Sequence, residues 1–80
     1  MRVYITGVAG FLGSHLCDGA LAKGWVVHGI DNLFRGRATH MPESENFTFE
    51  QLDLCGDISA LSTSIQNFKP DVVLHYGAIN

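Results

Sequence analysis

The glycine-rich segment from Thr6 to Gly13 constrains the fold of this chain more than any other feature. It reads Thr-Gly-Val-Ala-Gly-Phe-Leu-Gly, follows the apolar run Val3-Tyr4-Ile5, and precedes a stretch with helical periodicity. Glycine tolerates positive φ angles and close backbone approach, so it allows the chain to reverse sharply. The segment therefore predicts a strand, a tight turn and a helix in immediate succession.

Periodicity along the rest of the chain predicts four strands and two helices. We expect strands at 2–6, 25–30, 47–54 and 70–75, helices at 11–23 and 57–68, and a polar loop over 33–46. The first helix presents one small or apolar face to a sheet, formed by Gly13, Leu16, Cys17, Ala20 and Leu21. The corresponding face of the second helix consists of Ile58, Leu61, Ile65 and Phe68. Gly19 suggests close packing within the first helix, and Gly24 is placed to end it.

The order of these elements predicts an α/β fold. Continuous apolar runs, as in 70–75, are typical of strands in a parallel sheet that is covered on both faces. Right-handed crossovers place the first strand in the centre and give the strand order 3-2-1-4. We therefore expect residues 1–80 to form a single domain, which is half of a doubly wound (Rossmann) fold with about four strands.

Composition excludes several classes of protein. The chain has 80 residues, only five of which are Lys or Arg, and a net charge of −3, so we expect no nucleic-acid partner. It shows no secretory leader or membrane span, which favours the cytoplasm and argues against a membrane partner. Cys17 and Cys55 form no CxxC pair, and we interpret them as free thiols. The four histidines lack metal-like spacing, and we predict no metal site.

The three glycines of the turn suggest an anion-binding role. Gly7 permits the reversal out of the strand, Gly10 allows backbone amides to approach a phosphate, and Gly13 lets the helix pack closely. The start of the following helix then offers unpaired N–H groups and partial positive charge. The alternative is a strand-to-helix turn with a purely structural role.

Acidic residues that end the second and third strands suggest an adenosine site. Asp31 can accept both ribose hydroxyls and would repel a 2′-phosphate, which favours NAD over NADP, although Arg35 and Arg37 could tolerate that phosphate. Asp53 could accept from the adenine amine, or it could simply initiate the turn before Gly56.

These segments together resemble the extended short-chain dehydrogenase/reductase family, in particular its NAD-dependent nucleotide-sugar epimerases, dehydratases and decarboxylases. Residues 6–13 are similar to that family's TGxxGFxG, and Asp31-Asn32-Leu33 to its D-N-L/F. Asp53-Leu54 resembles its adenine-side acid, and 70–75 resembles its P-D-x-V-x-H. Tyr76 and Gly77 depart from the family's usual Leu and Ala.

The resemblance implies a set of cofactor contacts and a catalytic pair. The implied NAD contacts are Gly7, Gly10, Phe11, Leu12, Gly13, Asp31, Asn32, Asp53, Leu54, Gly77 and Ala78. The family's Tyr-x-x-x-Lys pair is not found, because Tyr4 is followed four residues later by Val8 and Tyr76 by Asn80. We therefore assign no catalytic residue and expect no turnover from these residues alone.

Three functional hypotheses remain open. The first is an NAD-binding half-domain that corresponds to the front of an epimerase or dehydratase. The second is a half-fold that self-associates with weak or lost cofactor binding, as a homodimer through the fourth strand's edge or the adjacent helices, because Val72, Val73 and Leu74 would lie on an unprotected edge. The third is an enzyme that a separate second half completes.

Overall fold

A parallel sheet forms the centre of the fold in a computed structural model, which describes residues 1–8, 11–31, 42–52, 56 and 58–76. Its elements are β1 (Arg2–Thr6), α1 (Phe11–Ala22), β2 (Val26–Asp31), β3 (Phe47–Gln51), α2 (Ile58–Phe68) and β4 (Val72–His75). The four strands are parallel and lie in the order β3-β2-β1-β4. The predicted α/β class, strand order and half-Rossmann arrangement are confirmed.

The strand register brings the carboxyl ends of the strands to one edge of the sheet. Thr6, the last residue of β1, pairs with Ile30 of β2 on one side and with His75 of β4 on the other. Asp31, which ends β2, pairs with Gln51 of β3. The carboxyl ends of the strands therefore lie beside one another, at the edge where ligands bind in open parallel sheets.

Several element boundaries differ from those predicted. The helix α1 ends at Ala22, one residue early, and Gly24 then adopts a φ of +81° and donates its amide to Leu21 at 3.0 Å. This confirms that Gly24 ends the helix. The strand β3 ends at Gln51 rather than at residue 54, and β4 begins at Val72 rather than at residue 70.

The larger core cluster lies between α1 and the sheet. Its buried members are Val3, Ile5, Val8, Cys17, Ala20 and Val27. Phe47 and Phe49 of β3 pack against this cluster, as their alternation predicts, together with Leu21, Trp25 and Leu74. Cys17 is a free thiol and fully buried.

The smaller core cluster lies between α2 and the sheet. Tyr4, Ile30 and Phe68 are its buried members, and Leu61 and Ile65 of α2 pack against them. Leu52 packs against this second cluster, on the face of the sheet opposite to that of Phe47 and Phe49. Leu52 directly follows β3 and lies an odd number of positions after both Phe47 and Phe49. Side chains alternate between the two faces of a sheet, so Leu52 projects to the other face.

Three predictions about helix faces are wrong. Leu16 is 37% exposed and Ile58 is 75% exposed, although both were expected to face the sheet. Each lies at the margin of its helix's apolar stripe, so the neighbouring positions make the contact instead. Gly19 was expected to pack closely, but a Cβ built there would meet no atom within 4 Å.

Candidate functional site

The turn after β1 is anchored to the end of β2. Gly7 adopts a φ of +72°, a conformation that favours glycine, and this confirms its predicted role in the reversal. The amides of Gly7 and Val8 both donate to the carbonyl oxygen of Ile30, at 2.9 Å and 3.1 Å. These two amides are therefore occupied within the fold, and donors for a ligand must come from later positions.

Gly13 lies directly against the backbone of the turn. A Cβ at this position would overlap the carbonyl oxygen of Gly7 and would lie 2.9 Å from the Gly7 carbonyl carbon and 3.1 Å from the Cα of Val8. The predicted close approach is confirmed, but its partner is the turn that follows β1 rather than the strand itself. Glycine at position 13 therefore allows α1 to begin immediately above the ends of β1 and β2.

A further glycine, Gly29 of β2, supports the turn, and we did not predict this role from the sequence. A Cβ at Gly29 would lie 2.6–2.7 Å from three side-chain atoms of Val8. Val8 is 1% exposed, so it anchors the turn in the larger core cluster, where Gly29 leaves room for its side chain. A glycine inside a predicted strand is itself a signal of close approach by another group, and that signal was available.

The amino terminus of α1 supplies electropositive character at this edge. The helix begins at Phe11, so the amides of its first turn have no acceptor within the helix and carry partial positive charge. This first turn contains no acidic residue that would offset the charge. The Leu12 side chain is 59% exposed, which leaves it outside the core. The arrangement suits an anion.

Asp31 is the last residue of β2 and follows Ile30, whose carbonyl oxygen accepts the hydrogen bonds from the turn. It is partly buried, and its own carbonyl oxygen accepts from the amide of Leu52 at 3.1 Å. The sheet therefore brings Asp31 and the glycine turn to the same edge, as the sequence predicts. A carboxylate next to a helix amino terminus can bind hydroxyl groups of the molecule whose phosphates that helix holds.

The end of β4 is fastened to the end of β1 through Thr6. The Thr6 hydroxyl oxygen accepts from the Tyr76 amide at 2.9 Å and lies 2.7 Å from Nδ1 of His75. The Tyr76 amide also donates to the Thr6 carbonyl at 3.1 Å. Thr6 is 2% exposed, so these polar contacts are internal to the fold. They fix the strand end from which residues 77 and 78 continue.

Part of the predicted site lies outside the described residues. These positions are Gly10, Asn32, Asp53, Leu54, Gly77, Ala78 and the side chain of Phe11. Arg35 and Arg37, the two cations that bear on the choice between NAD and NADP, also lie outside them. Their predicted roles stay predictions.

Two further observations concern the described part of the chain. Among those residues, no three side chains of His, Cys, Asp or Glu come together as a metal site. None of the described helices combines the length and hydropathy needed to cross a membrane.

Almost the whole length of the chain matches one protein family. The family model described as "NAD dependent epimerase/dehydratase family" matches residues 3–80. The chain belongs to this family.

Relatives within the family act on nucleotide sugars according to their names. A UDP-glucose 4-epimerase from Mycolicibacterium smegmatis is 42% identical over 98% of this chain, and a UDP-glucuronate 4-epimerase from Thermodesulfobacterium geofontis is 34% identical over 92%. In both cases the match spans 25% of the relative. The chain therefore corresponds to about a quarter of the length of these two relatives.

Solved structures of the family share the fold. The chain matches the Bordetella bronchiseptica enzyme WbmH, solved in complex with NAD⁺, with a TM-score of 0.92 and 35% identity over 99% of this chain and 26% of that one. It matches the Thermus thermophilus UDP-glucose 4-epimerase, solved with NAD, with a TM-score of 0.87 and 37% identity over 99% of this chain and 24% of that one. Both of these enzymes were therefore solved with NAD bound.

Proposed function

We propose that this chain is the NAD-binding part of an enzyme that acts on a nucleotide sugar. The observation that carries the proposal is the contact between Gly13 and Gly7, which sets the electropositive start of α1 above the carboxyl ends of β1 and β2. Asp31 ends β2 at the same edge. An anionic group and a hydroxyl-bearing group, joined in one molecule, fit this pair of features.

Backbone amides at the start of α1 would hold the pyrophosphate. Since the Gly7 and Val8 amides already bind Ile30, the donors would be the amides of the first turn of α1, including Leu12 and Gly13, with Gly10 permitting close approach. Phe11, Asn32, Asp53, Leu54, Gly77 and Ala78 complete the proposed contacts by resemblance to the family. When bound, NAD supplies reversible hydride transfer.

Asp31 would make the site prefer NAD to NADP. Its carboxylate can accept hydrogen bonds from the two ribose hydroxyls, whereas the 2′-phosphate of NADP would bring a second negative charge against it. The names of the relatives, which include a UDP-glucose 4-epimerase, support a nucleotide sugar as the substrate class.

Calorimetric titration tests the proposal. We expect NAD to bind saturably and more tightly than NADP, and AMP to compete with it. Asp31→Ala should weaken NAD and narrow its advantage over NADP, because only NAD presents the free 2′-hydroxyl to that carboxylate. Asp18→Ala, which removes an exposed acid on α1, is the matched control and should leave both affinities unchanged. Absence of NAD binding, or equal binding of NAD and NADP by the unmodified protein, would contradict the proposal.

A second role, self-association, has support from the edge formed by β4. Within the described residues β4 pairs with β1 alone, so one side of its backbone lacks a strand partner. Val73 is 48% exposed and Tyr76 is 46% exposed beside this edge. Unprotected strand edges with apolar side chains pair with other chains. We therefore propose a homodimer through the β4 edge.

Light scattering after size exclusion measures this association. At micromolar concentration we expect the mass of a dimer, and Val73→Lys should shift the protein to a monomer. Ile58→Lys introduces the same charge at an exposed apolar position of α2 and should keep the dimer. A monomeric unmodified protein would exclude the homodimer and leave the NAD site unaffected.

A further inference from the structure

A hydrogen-bonded group of side chains joins α2 to the sheet. Tyr4 donates its hydroxyl to Oγ of Ser64 at 2.8 Å, and Ser64 donates to Oε1 of Glu50 at 2.7 Å. Nε2 of His28 lies 3.1 Å from the same carboxylate oxygen, and its Nδ1 lies 2.6 Å from the Thr48 hydroxyl. We call these five residues the α2 polar network.

The network has a fixed direction that ends on Glu50. The fully buried Tyr4 donates a hydrogen bond to Ser64, and the hydroxyl of Ser64 donates one in turn to the carboxylate. Burial raises the pKa of Tyr4, so this side chain stays a neutral donor. The hydrogen bond from Ser64 lowers the pKa of Glu50, and the hydrogen bond and charge of His28 act in the same direction against the effect of burial. The ionised carboxylate is therefore the common acceptor.

Apolar packing of α2 against the sheet is limited, which makes the network important for its docking. Phe68 is the only buried apolar side chain that α2 contributes among the residues described, since Leu61 and Ile65 are partly exposed and Ile58 is 75% exposed. The opposite helix, α1, contributes two buried residues, Cys17 and Ala20, to a cluster of six. The attachment of α2 therefore depends more on polar contacts than the attachment of α1.

Glu50 can exchange protons with solvent where it stands. Its side chain is 43% exposed and borders an open cleft of about 490 Å³ beside α2. The cleft is also lined by Arg2, whose Nε donates to the Phe68 carbonyl at 2.8 Å and whose guanidinium lies 4.2 Å from the Phe68 ring centroid. The side chains that α2 itself presents to the cleft are uncharged: Ser59, Ala60, Thr63, Ser64, Asn67 and Phe68.

We propose that the α2 polar network is an acid-sensitive latch, which holds α2 on the sheet while Glu50 is ionised and releases it when Glu50 is protonated. The other groups that face Glu50 keep their contacts as the pH falls, so protonation of Glu50 itself is what opens the latch. Tyr4 stays neutral, and Arg2 stays cationic throughout. Protonated His28 would still donate to Glu50 and could donate to Thr48, so its charging keeps both contacts.

The direction of the pH effect follows from the lowered pKa of Glu50. Because the folded state favours the carboxylate, the stabilising contribution is complete above the ordinary pKa of 4.5 and is lost as the pH falls through the lower folded value. Release of α2 is therefore expected below about pH 4.5, before acid disrupts the apolar α1 cluster.

Amide hydrogen exchange, resolved by residue and corrected for intrinsic rates, tests the latch. In the unmodified protein, protection of α2 should fall relative to α1 as the pH is lowered below 4.5. At neutral pH, Glu50→Gln should speed exchange in α2 about tenfold, since it removes a charge-assisted acceptor, and should leave α1 unchanged. Glu45→Gln, which neutralises an exposed acid before β3, should match the unmodified protein.

Two results would overturn the latch. One is a parallel loss of protection by α1 and α2 on acidification of the unmodified protein, which would mean that the fold opens as one unit. The other is a Glu50→Gln variant whose α2 exchanges at the unmodified rate at neutral pH. Acidification is measured on the unmodified protein. The proposal can therefore be disproved even if Glu50→Gln fails to fold.

Discussion

The backbone of Gly7 occupies the space that a side chain on Gly13 would need. A Cβ on Gly13 would overlap the Gly7 carbonyl oxygen, whereas a Cβ on Gly19, six residues later in the same helix, would meet no atom within 4 Å. The two glycines of α1 therefore have opposite structural meaning. One is required by the approach of the helix to the turn, and the other is exposed and replaceable.

Substitution of each glycine by alanine should distinguish the required glycine from the replaceable one. Gly13→Ala should lower the free energy of unfolding by about 1–3 kcal/mol, because the methyl group forces the turn and α1 apart. Gly19→Ala should raise it by up to about 1 kcal/mol, since alanine is the better helix former. Urea denaturation measures both. Equal effects of the two substitutions would mean that the contact between Gly13 and Gly7 is absent in solution.

Removing the hydroxyl of Tyr4 should weaken the fold. Tyr4 is fully buried and donates to Ser64, so Tyr4→Phe should cost about 1 kcal/mol in the free energy of unfolding. Tyr76→Phe is the matched control, because Tyr76 is 46% exposed and bonds through its backbone amide. Denaturation of the two variants side by side provides the comparison. A Tyr4→Phe variant as stable as the unmodified protein would show that the hydroxyl is not paired.

The Cys17 thiol should be unreactive in the folded protein. Burial, with a smaller contribution from the charge of Asp18, raises its pKa from 9.0 to about 11. At pH 8 its thiolate fraction should therefore be about one-hundredth of the ordinary value, and burial slows reagent access further. In a Cys55→Ser background, labelling by a chromogenic disulfide should be slow and should accelerate on unfolding. Equal rates in the folded and unfolded states would place Cys17 at the surface.

The sequence predicts the elements and their order because these depend on local signals. Glycine and proline punctuation, continuous apolar runs and right-handed crossovers are sufficient to give β3-β2-β1-β4. The glycine turn and Asp31 reach the same edge for the same reason, since strand ends in a parallel sheet adjoin one another. The periodic stripe is less informative about its margins, and Leu16 and Ile58 were wrongly assigned to the core.

Contacts between distant residues could not be read from single segments. Tyr4 lies in an apolar run, and its spacing gives no indication that Ser64, sixty residues later, accepts a hydrogen bond from its hydroxyl. The network with Glu50 and His28 needs the register of three strands and the rotation of α2, and neither is encoded by a local pattern. Val8 and Gly29 are coupled in the same long-range way, although the glycine itself was a visible signal.

NMR chemical-shift mapping of the backbone amides during NAD titration tests most directly whether the glycine turn binds NAD. During titration with NAD, we expect saturable shifts for the amides of residues 7–13 and of Asp31, with little change in α2. Shifts confined to the cleft beside α2, or no saturable shift in the glycine turn, would contradict the assignment of this turn as the NAD pyrophosphate site.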